Sequence, residues 1–571
     1  MKNRSLSNIW FINTGVLLIA LLLIAKLGYI QIAKGEYYQT KAEAKYLTSS
    51  QGTFDRGIIF FEERTGRKIS AATVVPDYTL AIDPAKVVDK EDLADKLLAI
   101  VAFDRENFIT RAGRTNDRYE EIVKHLSGKD IEGIRALKEK SVILGKNKKR
   151  FYPGGRVAAQ VLGFVGSDGS ASATPTGRYG IERYYNETLS RRGQDDSSSF
   201  FADLFLKNGA AILFDRGREG DLVTTIEPTV QGFFERLLEE DILKKYNATS
   251  TGGIIMNPKT GAIYAMATLP NFDPNNFSKE KDPAVFSNPL VDGVYEMGSI
   301  IKPLTMAAGI DAGVVTAGTT YDDKGYRTIN TKRISNFDGK ARGVVTMQDV
   351  LSQSLNTGTI FVEERLGKDR FREYFKSFGI GEETGIDLPN EGVGDIRNLE
   401  SPRDIEYATA SFGQGISMTP IAAIRALAAL ANGGVLVTPH VVKRTEYGIG
   451  PARDFVASQE RRVIKKETSE EISRMLTVST DTTLAGGKLK LENYSVAVKT
   501  GTAQLVDAGG YSRTDFLHTF VGYFPSYDPK FIVLLILKNP RGEQYASHTL
   551  SGPFMQITKF LLNYYEIPPD R

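Results

Sequence analysis

The 571-residue chain contains no cysteine, which excludes disulfide scaffolds, thiolate zinc sites and cysteine nucleophiles together. Histidine is almost as scarce. The four copies, His125, His440, His518 and His548, are scattered and no H-E-x-x-H occurs, so no metal site is expected. Charge of one sign is missing too. With 72 Lys and Arg against 69 Asp and Glu the net charge is +3, and nothing suggests nucleic acid as a partner. Tryptophan occurs once, at Trp10, and beyond the N-terminus no apolar run is long enough to span a membrane. What is present, 41% hydrophobic and 25% charged residues, is ordinary for a folded protein. The length suits roughly two to four globular units.

The single long apolar run, Ile9 to Ala25 with a weaker continuation through Leu27, Tyr29, Ile30 and Ile32, follows Lys2 and Arg4. Trp10 and Tyr29 stand 19 residues apart. As a helix that is about 28 Å, close to the ~30 Å hydrocarbon core, so each ring can sit at one interface. Lys26 would snorkel outward. The basic N-terminus predicts a cytoplasmic tip and an uncleaved anchor over residues 1–33, with everything after it outside. The rival reading is a signal peptide cut near Ala33-Lys34-Gly35, but that site lies too far beyond the apolar run.

Residues 34–220 read as a first region. Ile58-Ile59-Phe60-Phe61 and Lys68-Ile69-Ser70 flank Arg64-Thr65-Gly66, a hairpin signature. From Pro84 to Lys140 the pattern is helical and charged, with Leu93, Leu97, Leu98 and Val101 as the apolar stripe. Ser167 to Thr176 and Gln194 to Ser199 read as loops. A second region, 221–571, opens on a helix with Pro228 first and Val230, Phe233, Phe234, Leu237 and Leu238 on one face. Strands are predicted over residues 253–256 and 263–268, around the turn Asn257 to Gly261. Thr419 caps a helix that has Pro420 first and Asn432-Gly433-Gly434 as its stop. Three closing strands are predicted over 494–501, 519–524 and 531–537, and a last helix over 554–564. Strands at front and back with helices between imply an antiparallel sheet with helices packed on it, an α+β architecture.

Three short motifs carry the chemistry. Ser299-Ile300-Ile301-Lys302 opens an apolar helix, Ser354-Leu355-Asn356 follows, and Lys499-Thr500-Gly501-Thr502 closes a strand near the C-terminus. Together they supply a nucleophile, its base and an oxyanion site, the parts that acyl transfer requires. No piece persuades alone, because a chain this long holds about two or three chance S-x-x-K matches. A second stands at Ser278-Lys279-Glu280-Lys281, and a second K-T-G at Lys259-Thr260-Gly261. Context separates the copies. Ser278 lies in a polar loop, whereas Ser299 precedes Pro303, Leu304, Met306, Ala307, Ala308 and Ile310, a helical pattern ending at Gly313. Pro303 is tolerable there because the first four helical N–H groups have no intrahelical partner. Spacing of i to i+3 puts the Lys302 amine on the same face as the Ser299 hydroxyl. Asn257-Pro258 before Lys259 and Gly261 after it are turn chemistry, so that lysine is expected to point to water.

The ordered trio, with further markers along nearly the whole length, resembles the class B penicillin-binding proteins, single-pass membrane transpeptidases of cell-wall synthesis. Arg56-Gly57-Ile58-Ile59 and Gly177-Arg178-Tyr179-Gly180-Ile181-Glu182 look like markers of the family's non-catalytic, dimerisation-type pedestal. Asn257 to Gly261, Gly413-Gln414-Gly415 with Thr419-Pro420, and Phe520 to Pro525 look like transpeptidase-domain markers. The resemblance implies an anchor over 1–33, a pedestal over 34–220 and a transpeptidase domain over 221–571. It puts the third motif on an inner strand, which selects Lys499 over Lys259. Met297, where the family usually has Pro, and Val498, where Gly commonly precedes the Lys, are departures expected to bear on the pocket rim. Septal and elongation types share Lys499 to Gln504 and Gly385-Ile386-Asp387-Leu388-Pro389, and overall likeness leans to the septal type.

By the same resemblance, Ser299 attacks the penultimate D-Ala of a D-Ala-D-Ala stem peptide, and the amine of a neighbouring stem resolves the acyl-enzyme. Lys302 would be the neutral base, Ser354 would relay the proton, and Asn356 would hold Lys302 and the substrate amide. Lys499 and Thr500 would bind the substrate carboxylate, Gly501 would keep the strand open for close approach, and the Ser299 and Thr502 N–H groups would form the oxyanion hole. No cofactor is implied. The implied partners are peptidoglycan stem peptides, β-lactam antibiotics, the membrane bilayer, a SEDS-family glycan polymerase and divisome proteins. The implied place is the bacterial cytoplasmic membrane, with the catalytic domain outside. The E-x-x-L-N of a class A β-lactamase and the glycan-polymerising E-D-x-x-F-x-x-H-x-G are both missing. A D,D-carboxypeptidase shares the motifs, though the anchor and pedestal speak against it. A non-enzymatic β-lactam sensor or wall scaffold also stays open.

Overall fold

The computed structural model describes Lys26 and residues 54–167, 175–191, 219–448, 450–456, 460–507 and 510–571. The expected anchor and the two expected loops near 170 and 196 lie, in whole or in part, outside the described residues. Among the described residues no helix is long and apolar enough to cross a membrane. Packing divides the chain into two compact units. Of the described residues, the larger takes Arg56–Val74, 150–167, 175–191 and those from 219 onward, and the smaller takes Val75–Lys149.

In the larger unit, α1 (Pro228–Leu237) begins where the sequence predicts, with Pro228 needing no donor and the Glu227 carboxylate accepting the Val230 N–H at 2.7 Å. Strands β1 (Ser250–Met256) and β2 (Ile263–Leu269) follow as a hairpin. Then come α2 (Lys302–Asp311), α3 (Met347–Ser352), α4 (Asn356–Leu366), α5 (Pro420–Ala431) and α6 (Lys466–Thr482). The chain closes with β3 (Ala497–Asp507), β4 (Gly510–Phe524), β5 (Phe531–Lys538) and α7 (Ser551–Tyr564). The sheet order is β3-β4-β5-β1-β2, antiparallel throughout, as the α+β pattern predicts.

Alternation along β5 divides the core between two faces. Ile532, Leu534 and Ile536 join Ile424 and Leu427 of α5 and Met475 of α6, while Val533 and Leu535 join Phe234 of α1 and Phe554 of α7. Helices therefore cover both faces, which is why the central strands read as unbroken apolar runs. Each such side chain, once buried, contributes roughly 1.5–3 kcal/mol.

Three expectations need correction. β3 starts at Ala497 rather than Tyr494 and runs on to Asp507, because the polar outer part of the β3–β4 hairpin has no apolar face to betray it. β3 is also the sheet's edge strand, not an inner one. Its open side is buried instead against the 3-10 turn Gly298–Ile301 and α6. The stretch from Pro84 to Lys140 is not all helix. Between helices Arg105–Ala112 and Gly128–Leu137 a strand, Glu120–Val123, pairs with the second half of strand Lys68–Ile82. Two of its four residues are glutamates, too polar to signal a strand. In that smaller unit Leu93, Leu97, Phe108 and Ile134 pack on Leu80 and Ile82.

The larger unit holds a second sheet. Strand Ile59–Glu62 forms the predicted hairpin with Lys68–Ile82 and also pairs in parallel with Gly220–Thr224, which in turn pairs with Val442–Tyr447. The Glu182 carboxylate, fully buried, takes Arg56 Nε at 2.5 Å and Arg150 Nε at 2.6 Å. The two pedestal markers are thus halves of one ionic joint. Gly177 must be glycine because a Cβ there would lie 1.8 Å from Glu182 O.

Candidate active site

The nucleophile candidate sits on a turn held from both sides. Gly298, at φ +61°, adopts the left-handed conformation that is cheap only for glycine. Its N–H donates to Gly413 O at 3.2 Å, and a Cβ on Gly413 would meet Gly298 O at 2.3 Å. The Gly413-Gln414-Gly415 marker is therefore a place where two backbones touch. On the other side the Thr519 hydroxyl donates to Met297 O at 3.0 Å. Met297 itself is fully buried, so its side chain belongs to the core and not to the rim where an effect is expected. Ser299 is half-buried and faces the cleft.

Lys302, at the start of α2, is completely buried. Its Nζ donates to Ser354 O at 2.5 Å and lies 3.2 Å from Ser354 Oγ. Lys499 Nζ reaches the same Oγ at 2.9 Å and also donates to Thr500 O at 3.0 Å. Ser354 has φ +55°, unusual for a residue with a side chain and worth about 1–3 kcal/mol of strain. That conformation, between α3 and α4, turns both its carbonyl and its hydroxyl toward Lys302. Burial, aided by the Lys499 charge, pushes the Lys302 amine well below the usual lysine range. Burial brings Lys499 down to about 7.

Asn356 departs from expectation. Its carboxamide nitrogen donates to Ser335 O at 2.8 Å, and among the described residues no hydrogen bond joins it to Lys302. The next residue explains why. Thr357 Oγ1 donates to the buried Asp323 at 2.8 Å, and Asp323 also takes Asn336 Nδ2 at 3.0 Å, so Ser335-Asn336 is clamped beside Asn356-Thr357.

The third motif runs along β3 opposite Val521, Phe520, Thr519 and His518 of β4. With period two, Lys499 and Gly501 alternate with Thr500 and Thr502; Gly501 lies against the nucleophile turn, the Lys499 amine reaches Ser354, and Thr500 and Thr502 line the open cleft. Thr502 Oγ1 accepts the Ala546 N–H at 3.2 Å. A Cβ on Gly501 would lie 2.3 Å from Thr519 Oγ1 and 2.8 Å from Met297 O. Gly501 thus makes room for the turn that carries Ser299, a closer neighbour than any substrate. Gly298 lies within reach of Thr502, with a Cβ there placed 3.3 Å from Thr502 O.

These groups open on a cleft of about 860 Å³ lined by Ser299, Ser354, Lys499, Thr500 and Thr502 among others. That is ordinary for a ligand site. No carboxylate lines it among the described residues, so the cleft suits an anionic ligand. Sequence reading missed Phe337, Arg342 and Tyr545, which form its walls. Phe337 and Tyr545 meet edge to face at 6.0 Å, and no sequence signal marks either. Among the described residues no group of three or more His, Cys, Asp or Glu could hold a metal ion.

The duplicate motifs fall elsewhere. Ser278 is exposed on a short 3-10 turn. Lys259 sits in the β1–β2 turn, where Asn257 Oδ1 accepts its N–H at 2.9 Å and its amine pairs with Asp528 in solvent.

Comparison with known proteins bears on the whole chain. The family described as the penicillin binding protein transpeptidase domain matches residues 251–559, and the penicillin-binding protein dimerisation domain matches residues 56–203. Stage V sporulation protein D of Bacillus subtilis is 31% identical over 550 residues, covering 94% of this chain and 82% of that protein. Peptidoglycan D,D-transpeptidase FtsI of Buchnera aphidicola is 24% identical over 590 residues, covering 100% and 98%. Penicillin binding protein 3 from Mycobacterium tuberculosis, solved with aztreonam, superposes with a TM-score of 0.68 at 21% identity, covering 91% of this chain and 98% of that one.

Proposed function

Because the chain belongs to the class B penicillin-binding proteins, we propose that it is a peptidoglycan D,D-transpeptidase working through a Ser299 acyl-enzyme. The observation that carries this reading is the convergence of two buried amines, Lys302 and Lys499, on the Ser354 hydroxyl in the cleft that Ser299 faces.

The chemistry follows from those positions. A serine hydroxyl is a weak nucleophile and needs a base. Lys302, whose neutral form is favoured by burial beside another amine, would take the Ser299 proton once substrate orders the site. Ser354, already bonded to both lysines, can pass that proton toward the leaving D-Ala amine. The substrate's terminal carboxylate would meet Lys499, whose charge it would restore, with Thr500 beside it. Backbone N–H groups of Ser299 and Thr502 would hold the oxyanion, at roughly 3 kcal/mol per donor. Asn356 would turn its carboxamide oxygen to the substrate amide while its nitrogen stays on Ser335 O. A β-lactam would acylate Ser299 by the same steps and stay bound.

Further, we read residues 1–33 as a single membrane anchor, 34–220 as the pedestal, and the site of action as the division septum, beside a SEDS-family polymerase. The apolar run between Trp10 and Tyr29 supports the anchor. A protein truncated near Gly35 should be soluble and still bind penicillin, whereas native protein beginning at Glu36 would mean a cleaved signal. Depletion should give filaments with unfinished septa. Round, swollen cells that still divide would point to an elongation role.

The deciding assay offers the enzyme paired stem peptides, one ending in D-Ala-D-Ala and one bearing a free side-chain amine. A crosslinked product with release of D-Ala is expected. Release of D-Ala without crosslinking would indicate a carboxypeptidase, and acylation by penicillin without either product would indicate a sensor.

A further inference from the structure

We infer that Glu296 is a positioning residue, which through Gly415 and Tyr511 ties the outer part of the β3–β4 hairpin to the turn presenting Ser299. The inference rests on Ser299 being the nucleophile, and extends that reading to a residue outside the three motifs.

Glu296 lies three residues before Ser299. Its Oε1 accepts the Gly415 N–H at 2.9 Å and the Tyr511 hydroxyl at 3.0 Å, and its Oε2 lies 3.1 Å from the same hydroxyl. Both donors are neutral, and among the described residues no cation forms an ion pair with this carboxylate. Burial pushes its pKa up. A half-buried carboxylate balanced only by neutral donors is costly to maintain, so stability alone is a poor reason for it.

The hairpin supplies a better one. β4 pairs with β5 only from Leu517 to Phe524, so outward of Leu517 the β3–β4 pair is an unsupported two-stranded ribbon. Such ribbons are marginal and vary in twist. This one is also interrupted by a register shift between Gln504 and Val506, just beyond the third motif. Tyr511 lies outside that shift, opposite Val506. The other fastenings of the nucleophile turn, Gly298 to Gly413 and Met297 to Thr519, engage nothing on the outer ribbon. Tyr511 on Glu296 does. It sets the ribbon's angle, and with it the path of Thr502 to Gln504 beside Gly298 and Ser299. Glu296 acts through these neighbours and touches no reacting atom.

The test uses the full-length protein, with second-order labelling by a fluorescent penicillin as the rate and thermal unfolding as the control. Glu296→Ala and Tyr511→Phe should each slow acylation about tenfold, the scale of one charge-assisted hydrogen bond. The double variant should be no slower than the worse single one, because both remove the same link. Glu296→Gln, which keeps an accepting oxygen, should recover most of the rate. The Tyr511→Phe midpoint should stay within about 2 °C of wild type. Wild-type rates in both single variants, multiplying losses in the double, or losses that track the midpoint in every variant would each overturn the assignment. A wild type that takes no label at Ser299 would overturn the proposed function and this inference with it.

Discussion

Lys302 and Lys499 share one oxygen. Ser354 Oγ lies 3.2 Å from the first amine and 2.9 Å from the second, and both lysines are buried. Two ammonium groups in that position would repel with little water to screen them. Burial first, and the Lys499 charge second, ease the conflict by pushing the Lys302 amine well below the usual lysine range. A base and an anion-binding group are thereby made from the same residue type by burial and order of contact.

Ser299→Ala should abolish labelling by a fluorescent penicillin, while Ser278→Ala labels like wild type. Lys302→Arg keeps the charge and cannot deprotonate near neutral pH, so it should lose acylation by a hundredfold or more, on the order expected for a missing general base. Labelling of folded Ser299→Ala protein, or near wild-type acylation by Lys302→Arg, would refute these roles.

The two K-T-G copies should rank unequally. Lys499→Ala removes a buried amine facing the cleft, worth roughly 1.5–3 kcal/mol toward a carboxylate, so acylation should slow about ten- to a hundredfold. Lys259→Ala removes a solvated turn lysine paired with Asp528 and should change the rate less than about twofold. Acylation rates of the two folded variants decide it.

The pH profile follows from signs. Lys499 falls from 10.5 to about 7 on folding, so between those values the unfolded chain binds more protons and stability should rise with pH. Activity should run the other way. Lys499 must be charged to meet a carboxylate, so kcat/KM should decline above about pH 7. Lys499→Arg should remove the alkaline decline. A rate that stays flat to pH 9 in wild type would mean that Lys499 is not the titrating group.

Far from the cleft, Glu182→Ala should be the more damaging kind of change. It removes the anion that Arg56 and Arg150 share in the core, and breaking such a buried pair costs about 3–5 kcal/mol. Urea unfolding should show that loss, while the acylation rate per folded molecule stays near wild type.

The sequence by itself determined the elements with strong local chemistry. Pro228 and Pro420 start helices, Asn257 to Gly261 makes a turn, and the apolar period after Ser299 separates it from Ser278. These are decided by neighbours along the chain, so they are legible there. The motif order and the family markers likewise fixed which serine and which K-T-G to follow. Only the tertiary structure decided what those markers touch. Gly413 and Gly501 are needed because distant backbone arrives at Gly298 O and Met297 O. Asn356 turns to Ser335 because Asp323 clamps the residues beside both. The Lys302 amine is pushed well below the usual lysine range because folding buries it, with the Lys499 charge close by. Each of these depends on a contact between residues far apart in sequence and on the desolvation that comes with it, and neither is written in local pattern.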